Sequence, residues 1–388
     1  MLANLQEPRA GADVAPEVAG MDALLRDIRQ RRKEFEAQKY ISPDIIERFK
    51  AVGVYRALVA KRFGGDEKSP AEFCELVETI ARADGSAGWV ASFGIGGVYL
   101  AALPVETLTK LYAKGPDVVF AGGIFPPQPA ELVEGGYRVN GRWSWGSGSM
   151  GAEVIGAGIL PKNGDNSGLP RMAVMPRDQV TIEPNWDVMG LLGTGSHDIV
   201  VKDVIVPPEW TFVRGGASSL DTPLYRYPTL SFAAQVLTVV GLGIARAAID
   251  EVLGMAAGRA SVTGAPNLGE RVYVQLEIAK IEAELRAARA WFYQAIDDVW
   301  QVLLKGDKPS DHLVSMLRLS TTHASRVSAD VTRRAQMVSG GTGVYESCPL
   351  AAQVRDVQMI TQHAFMGDIT YQNAGAMLFG LKPLPGYL

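Results

Sequence analysis

Apolar residues recur every three or four positions in the first part of the chain. They then recur every second position, and return to the longer spacing until the end. The two periods belong to helix and strand, which repeat a face every 3.6 and every 2 residues. From residue 21 to 117 segments such as MDALLRDIRQRRKEFEAQ carry the helical period. SPDIIERFKAVGVYRAL and SPAEFCELVETIARADGSAGWV each open on a helix start, Ser42-Pro43 and Ser69-Pro70, followed by acidic residues. A serine can cap free N–H groups there, and a proline lacks only a donor that the first turn never uses. The second segment is expected to break at Asp84-Gly85. AGWVASFGIGGVYLAALP, closed by Pro104, reads as a buried helix pair too short in strongly apolar residues to span a membrane.

Between 118 and 228 the period of two takes over. GGYRVNGRWSWGSGS alternates bulky and polar residues around Asn140-Gly141, a dipeptide that signals a hairpin turn. EVIGAGIL, RMAVMP, VTIEP and HDIVVKDVIVP are expected to be further short strands. From 229 the helices return. Ile278, Ile281, Leu285, Ala288, Phe292, Ile296, Val299 and Leu303 form one apolar stripe, and a second long helix ends at Gly340-Gly341. The expected architecture is mainly α with a central β domain. It comprises a flexible N-terminus (1–20), a helical domain (21–117), a β domain (118–228) and a C-terminal helical bundle (229–388).

A formal net charge of -4 leaves no basic footprint for nucleic acid. The N-terminus lacks the basic and apolar regions of a signal peptide. Cys74 and Cys348, the only cysteines, stand too far apart in sequence to suggest a disulfide framework. No His/Cys cluster offers a metal site. These features point to a cytoplasmic protein with no metal, nucleic-acid or membrane partner.

VVGLGIARAA imitates a dinucleotide fingerprint, but Arg246 stands where the third glycine belongs and no βαβ alternation surrounds it. Gly241 and Gly243 are read as helix-packing residues. In GRWSWGSGSMGAE, Trp143 and Trp145 would share one strand face, and indoles beside an accessible Gly-Ser-Gly can wall a planar ring. The same stretch also suits a half-buried strand with a glycine turn. MGLLGTGSHDIVV offers Thr194 and Ser196 to a ligand's polar edge, with His197 following. QMVSGGTGVYESCPLAAQVRDVQMITQH brings Gln336, a Gly340-Gly341-x-Gly343 loop suited to phosphate or adenine, the pair Arg355-Asp356, and His363.

Taken in this order, ARADGSAGWV, GRWSWGSG, GLLGTGSHDIVVKDVIVP and SGGTGVYESCPLAAQVRD resemble the acyl-CoA dehydrogenase superfamily over nearly the whole chain. The resemblance implies an N-terminal helical domain, a β-barrel-like domain and a C-terminal four-helix bundle. It also implies a flavin between the last two and a homotetramer. Dehydrogenases of that family carry a glutamate base shortly after the Arg-Asp pair. Here that position falls at about Ala364, beside His363, and the alternative position falls near Arg259-Ala260; neither is a carboxylate.

The sister branch, oxygenase components of two-component flavin-dependent monooxygenases, resembles this chain in ADGSAGW, GYRVNGRWSWGSG and RDVQMITQH. It includes hydroxylases of phenols, indole, indole-acetate, steroid-ring fragments and dibenzothiophene sulfur. The resemblance implies reduced FMN or FAD (FMNH2 or FADH2) supplied by a separate NAD(P)H-dependent flavin reductase, with O2 as co-substrate. A C4a-hydroperoxyflavin would then hydroxylate a small aromatic or heteroaromatic substrate. It places His363 near flavin C4a and the substrate, where it could hydrogen-bond the peroxide or take a substrate proton. Ser147 would steady the flavin N5–H, and Trp143 and Trp145 would wall the ring. Thr194 and Ser196 would meet the pyrimidine edge or substrate. Arg259, Gln336, Gly340 and Gly341 would meet the flavin's phosphate end, partly across subunits. Some members hold a histidine just after DGSAGW; here ASFGIGG has none, leaving Trp89, Phe93 and His197 to form the substrate pocket. An acyl-CoA dehydrogenase with a relocated base is the other reading.

Overall fold

Two changes of hydrophobic period become two changes of architecture in the computed structural model, which describes residues 16–162, 170–256 and 266–388. Helices come first: α1 (Pro16–Gln30), α2 (Arg32–Gln38), α3 (Pro43–Ala51), α4 (Pro70–Ala81), α5 (Gly85–Ser92), α6 (Gly96–Leu100) and α7 (Val105–Leu111). α4 starts on a full capping box, Ser69 and Glu72 each satisfying the other's backbone N–H. Ser42 precedes α3, but its hydroxyl does not cap. It donates to Glu34 at 2.5 Å and accepts from Gln38 at 2.7 Å. At Asp84 the chain both breaks and restarts, the carboxylate accepting the Ala87 N–H at 2.8 Å to cap α5.

The strands follow: β1 (Phe120–Val133), β2 (Gly136–Gly146), β3 (Val154–Pro161), β4 (Arg171–Pro176), β5 (Thr181–Glu183), β6 (His197–Val206) and β7 (Thr211–Val213). They pair in the order β5-β6-β2-β1-β3-β4-β7, with β1 and β3 parallel and the other pairs antiparallel. Asn140-Gly141 is not the hairpin turn. It lies inside β2 as a bulge, where the pairing with β6 slips between Val139 and Gly141, and Asn140 accepts the Asp203 N–H at 2.6 Å. Gly141 holds φ +154°, so the dipeptide supplies the positive φ that a bulge, like a turn, can require. The β1–β2 turn falls at Glu134-Gly135 instead.

The last helices are α8 (Pro223–Arg226), α9 (Thr229–Met255), α10 (Val272–Leu304), α11 (Asp311–Val338), α12 (Pro349–Thr361) and α13 (Ile369–Leu378). The α10 stripe is buried from Ile281 to Leu303 as the spacing predicts. α9 is long and apolar enough to cross a bilayer by length and composition, yet its apolar length is buried among the other helices. A Cβ on Gly243 would meet the Glu78 carbonyl at 2.6 Å, so the Gly-x-Gly lets α9 close onto α4. Two cores result. One joins α1–α3 to the inner face of the sheet, through Phe35, Ile45, Phe49, Trp143, Ile155 and Ile199. The other joins α4 and α6 to the C-terminal helices. α5 contributes Ala87, Val90 and Ala91 to the first core and Trp89 to the second.

Candidate active site

Four segments distant in sequence meet around Ser147. α5 is buried along its whole length, which holds Trp89 in place. The Trp89 indole N–H donates to the Ser147 hydroxyl at 3.1 Å, just beyond the end of β2. The Ser147 and Ser196 hydroxyl oxygens are 2.6 Å apart, those of Ser196 and Thr194 are 2.7 Å apart, and Thr194 donates to the Leu191 carbonyl at 2.9 Å.

A hydroxyl has one hydrogen to give. That of Thr194 is committed to the carbonyl, so Ser196 donates to Thr194 and Ser147 donates to Ser196. Trp89 feeds the head of the chain. Ser147 is left with a lone pair and no hydrogen: toward a ligand it can only accept. The set is buried, with exposures of 1% to 8% at Thr194, Ser196, Ser147 and Trp89. Thr194 and Ser196, expected to meet the ligand directly, turn their hydroxyls on each other and on Ser147.

The loop that carries Thr194 and Ser196 is tied down on both sides. The Leu191 N–H donates to the Asp356 carboxyl at 2.6 Å, and the Gly193 N–H to Ser86 at 3.1 Å. Leu191 and Gly195 lie in the left-handed region, at φ 51° and 58°. A Cβ on Gly190 would come within 2.4 Å of the Arg355 carbonyl, so glycine alone lets the loop lie on α12. Burial, and then the neighbouring Asp84, push the Asp356 carboxyl up to about 7. Asp84 is raised by the same burial, against the pull of Arg32 at 3.9 Å.

His363 sits just past the end of α12, before a short 3-10 turn, not inside a helix. Its ring is 6.1 Å from that of Trp89 and 4.9 Å from that of Phe365, centroid to centroid. Burial lowers its pKa to about 4, so the imidazole is neutral at physiological pH. Nδ1 accepts the Phe365 N–H at 3.3 Å, which puts the single ring hydrogen on Nε2. His363 therefore has a hydrogen to give at Nε2 and no acceptor lone pair left in the ring. Among the described residues no carboxylate bonds to Trp89, Ser147, Thr194, Ser196 or His363.

Several expected site residues do other work. Trp143 does not wall a ligand: it is fully buried in the sheet core, its N–H on the Gly158 carbonyl at 2.8 Å. Strand alternation fails at Trp145, whose φ of +63° turns the backbone and leaves its indole 66% exposed. His197 is a structural residue rather than a pocket wall. It is buried, and Nδ1 accepts the N–H groups of both Asn185 and Trp186, at 3.1 and 3.0 Å. Phe93 packs at the edge of the bundle core. Gln336 donates to the Gly343 carbonyl at 3.1 Å, while Gly340 and Gly341 are exposed. That loop lies at the far end of α12 from His363, roughly 20 Å along a 13-residue helix. Arg259 lies outside the described residues. Ser86 and the burial of Asp356 had no signal in the sequence.

Comparison with known proteins shows the family. Residues 235–368 match the acyl-CoA dehydrogenase, C-terminal domain family. The chain is 62% identical over 369 residues to indole-3-acetate monooxygenase of Pseudomonas putida, covering 95% of each. It is 28% identical to the oxygenase component of an FADH(2)-dependent resorcinol hydroxylase of Rhizobium sp., again over 95% of each. The crystal structure of the 3-HSA hydroxylase of Rhodococcus sp. superposes with a TM-score of 0.88 at 25% identity, covering 97% of this chain and 100% of that one.

Proposed function

Since the chain belongs to the acyl-CoA dehydrogenase superfamily, within its branch of flavin-dependent monooxygenases, we propose that it hydroxylates an indole-type aromatic substrate, indole-3-acetate first among them, with reduced flavin delivered by a separate reductase. The observation that carries this reading is the pairing of an acceptor-only Ser147 with a donor-only His363, with no carboxylate hydrogen-bonded to either among the described residues. A dehydrogenase needs a base over the substrate's α-carbon, and a neutral imidazole whose free nitrogen is already protonated is not one. For the other reading, a dehydrogenase with a relocated base, no carboxylate bonds to Trp89, Ser147, Thr194, Ser196 or His363 among the described residues.

The residues fit a reduced flavin. A reduced isoalloxazine carries an N–H where the oxidised ring has an acceptor, and Ser147 has a lone pair for it and no hydrogen for the alternative. Trp145 offers an exposed indole face beside it. When bound, the flavin supplies two electrons and activates O2. One oxygen atom enters a C–H bond as hydroxyl, and the other leaves as water with two protons. His363 would hold its Nε2 hydrogen toward the oxygen to be transferred. The buried cluster from Trp89 to Thr194 would keep water from the same place. Arg259, Gly340 and Gly341 would serve the flavin's phosphate end, with Gln336 holding the glycine loop through the Gly343 carbonyl. This loop, roughly 20 Å along α12 from His363, would reach a neighbouring subunit's flavin in a tetramer. Exposed Leu253, Val272, Leu276, Met337, Val344 and Tyr345 provide apolar surface for that contact.

The test is to supply the protein with a generic flavin reductase, NADH and isotopically labelled O2, and to offer indole-3-acetate, indole and simple phenols. One labelled oxygen atom in an indole product supports the reading. Turnover of an acyl-CoA with an electron-accepting dye and no O2 would replace it with the dehydrogenase.

A further inference from the structure

Guanidinium groups withdrawn from water normally carry a counter-ion, because an unpaired buried charge is heavily penalised. Two in this protein have none among the described residues. Arg214, just after β7, is 6% exposed, with Nη1 lacking any hydrogen-bond partner and its guanidinium carbon 3.5 Å from the centre of the Tyr99 ring. Arg318, in α11, is 8% exposed, with Nε unpartnered and a single long hydrogen bond, 3.4 Å, to the Leu230 carbonyl. Asp221 pairs with Arg226 and Asp368 with Arg326.

Each arginine borders the first turn of α9. Arg214 lines a cleft with Tyr99, Ser218 and Thr229, and Arg318 touches Leu230. α9 is 27 residues long, has no acidic residue in its first turn, and receives no side-chain cap from Pro228. Its free N–H groups add partial positive charge to the same place. Each arginine thus adds its charge beside this turn, and among the described residues no carboxylate pairs with either.

This cationic corner adjoins the candidate active site. The Arg318 guanidinium carbon is 5.8 Å from the centre of the Phe365 ring, whose other neighbour is His363 at 4.9 Å. A flat aromatic ring held near His363 and Trp89 could extend a short acidic arm past Phe365. We propose that the first turn of α9, flanked by Arg214 and Arg318, is the receptor for the carboxylate of an arylacetic acid substrate; the assignment rests on the monooxygenase reading above. A guanidinium fork matches a carboxylate with two parallel hydrogen bonds, and burial strengthens them. A neutral ring would leave both cations unpaired. The corner therefore selects aromatic acids over the parent heterocycles.

Equilibrium binding to the full-length protein tests this, using indole-3-acetate, its uncharged isostere indole-3-acetamide, and indole. The wild type should bind the acid at least about tenfold more tightly than the amide. Arg318→Met or Arg214→Met should bring that ratio near one while leaving the affinities for amide and indole unchanged. Methionine keeps the apolar stem and removes an unpaired charge, so both variants should melt no lower than the wild type. Equal binding of acid and amide by the wild type overturns the receptor but spares the monooxygenase reading. So does an acid preference that survives in both variants. Failure to bind any of the three compounds overturns both. Titration with FMN and riboflavin separates the remaining source of an anion: if the variants weaken FMN but not riboflavin, the corner serves the cofactor's phosphate and the proposal is wrong.

Discussion

The Asp356 carboxyl and the Leu191 amide, 165 positions apart, meet at 2.6 Å and tie α12 to the loop that carries Thr194 and Ser196. Burial and Asp84 raise this carboxyl to about 7, whereas an unfolded aspartate titrates near 4. Between those values the folded chain binds the extra proton. Its stability therefore falls as pH rises from about 4 to 7 and is not regained above. Asp356→Asn keeps an acceptor for Leu191 and removes the ionisation. The variant should melt higher than the wild type at pH 8, with the gap closing toward pH 5. Melting curves across that range decide the matter; a gap that does not change with pH would contradict it.

His363 titrates in the opposite sense. Its folded pKa of about 4 lies below the unfolded value near 6.5, so protons favour the unfolded chain and stability falls as pH drops through that window. Above about pH 6 the imidazole is neutral, and the ratio of hydroxylated product to NADH consumed should not vary with pH on its account. His363→Ala should lower that ratio several-fold, the lost oxygen appearing as H2O2. His363→Gln, which can still donate, should restore part of it. A glutamine variant no better than alanine would argue that the residue acts as a base.

Gly190 gives a purely steric prediction. A methyl group there would meet the Arg355 carbonyl at 2.4 Å, and a backbone oxygen cannot swing aside. Gly190→Ala should cost about 1–3 kcal/mol of stability and weaken flavin binding together, because the same loop carries both. Urea unfolding and flavin titration on one sample would show whether the two losses coincide.

Much of this was legible along the chain, because local rules acted alone where they held. The α10 stripe, the Ser69 capping box and the strand from Arg171 to Pro176 follow from spacing and caps. The failures occur where a tertiary contact decides. Asn140-Gly141 supplies positive φ to a bulge because Asp203 faces it, and Trp145 leaves the strand pattern by one backbone angle. The resemblance implies a place for His363 near the flavin and substrate; its neighbour Trp89 and its protonated nitrogen, set by the Phe365 N–H, emerge only in the folded chain. Composition shows 38 cations against 42 acids, not that Arg214 and Arg318 lack partners.

The hydroxyl chain yields the sharpest expectation. In the wild type the Ser147 hydrogen is engaged by Ser196, so Ser147 favours the reduced flavin's N–H over the oxidised ring's bare nitrogen. Ser196→Ala removes that engagement and frees the hydrogen to point at the ligand. Oxidised flavin should then gain affinity relative to reduced flavin by about fivefold, the worth of one ordinary hydrogen bond. Trp89→Phe should act less strongly, because it deletes a donor to Ser147 without releasing the Ser147 hydrogen. Ser147→Ala should abolish the preference and raise H2O2 release. Parallel titrations with oxidised flavin and, under anaerobic conditions, reduced flavin would measure each ratio. If Ser196→Ala leaves the ratio unchanged while Ser147→Ala shifts it, Ser147 acts without the chain behind it and the proton order is wrong.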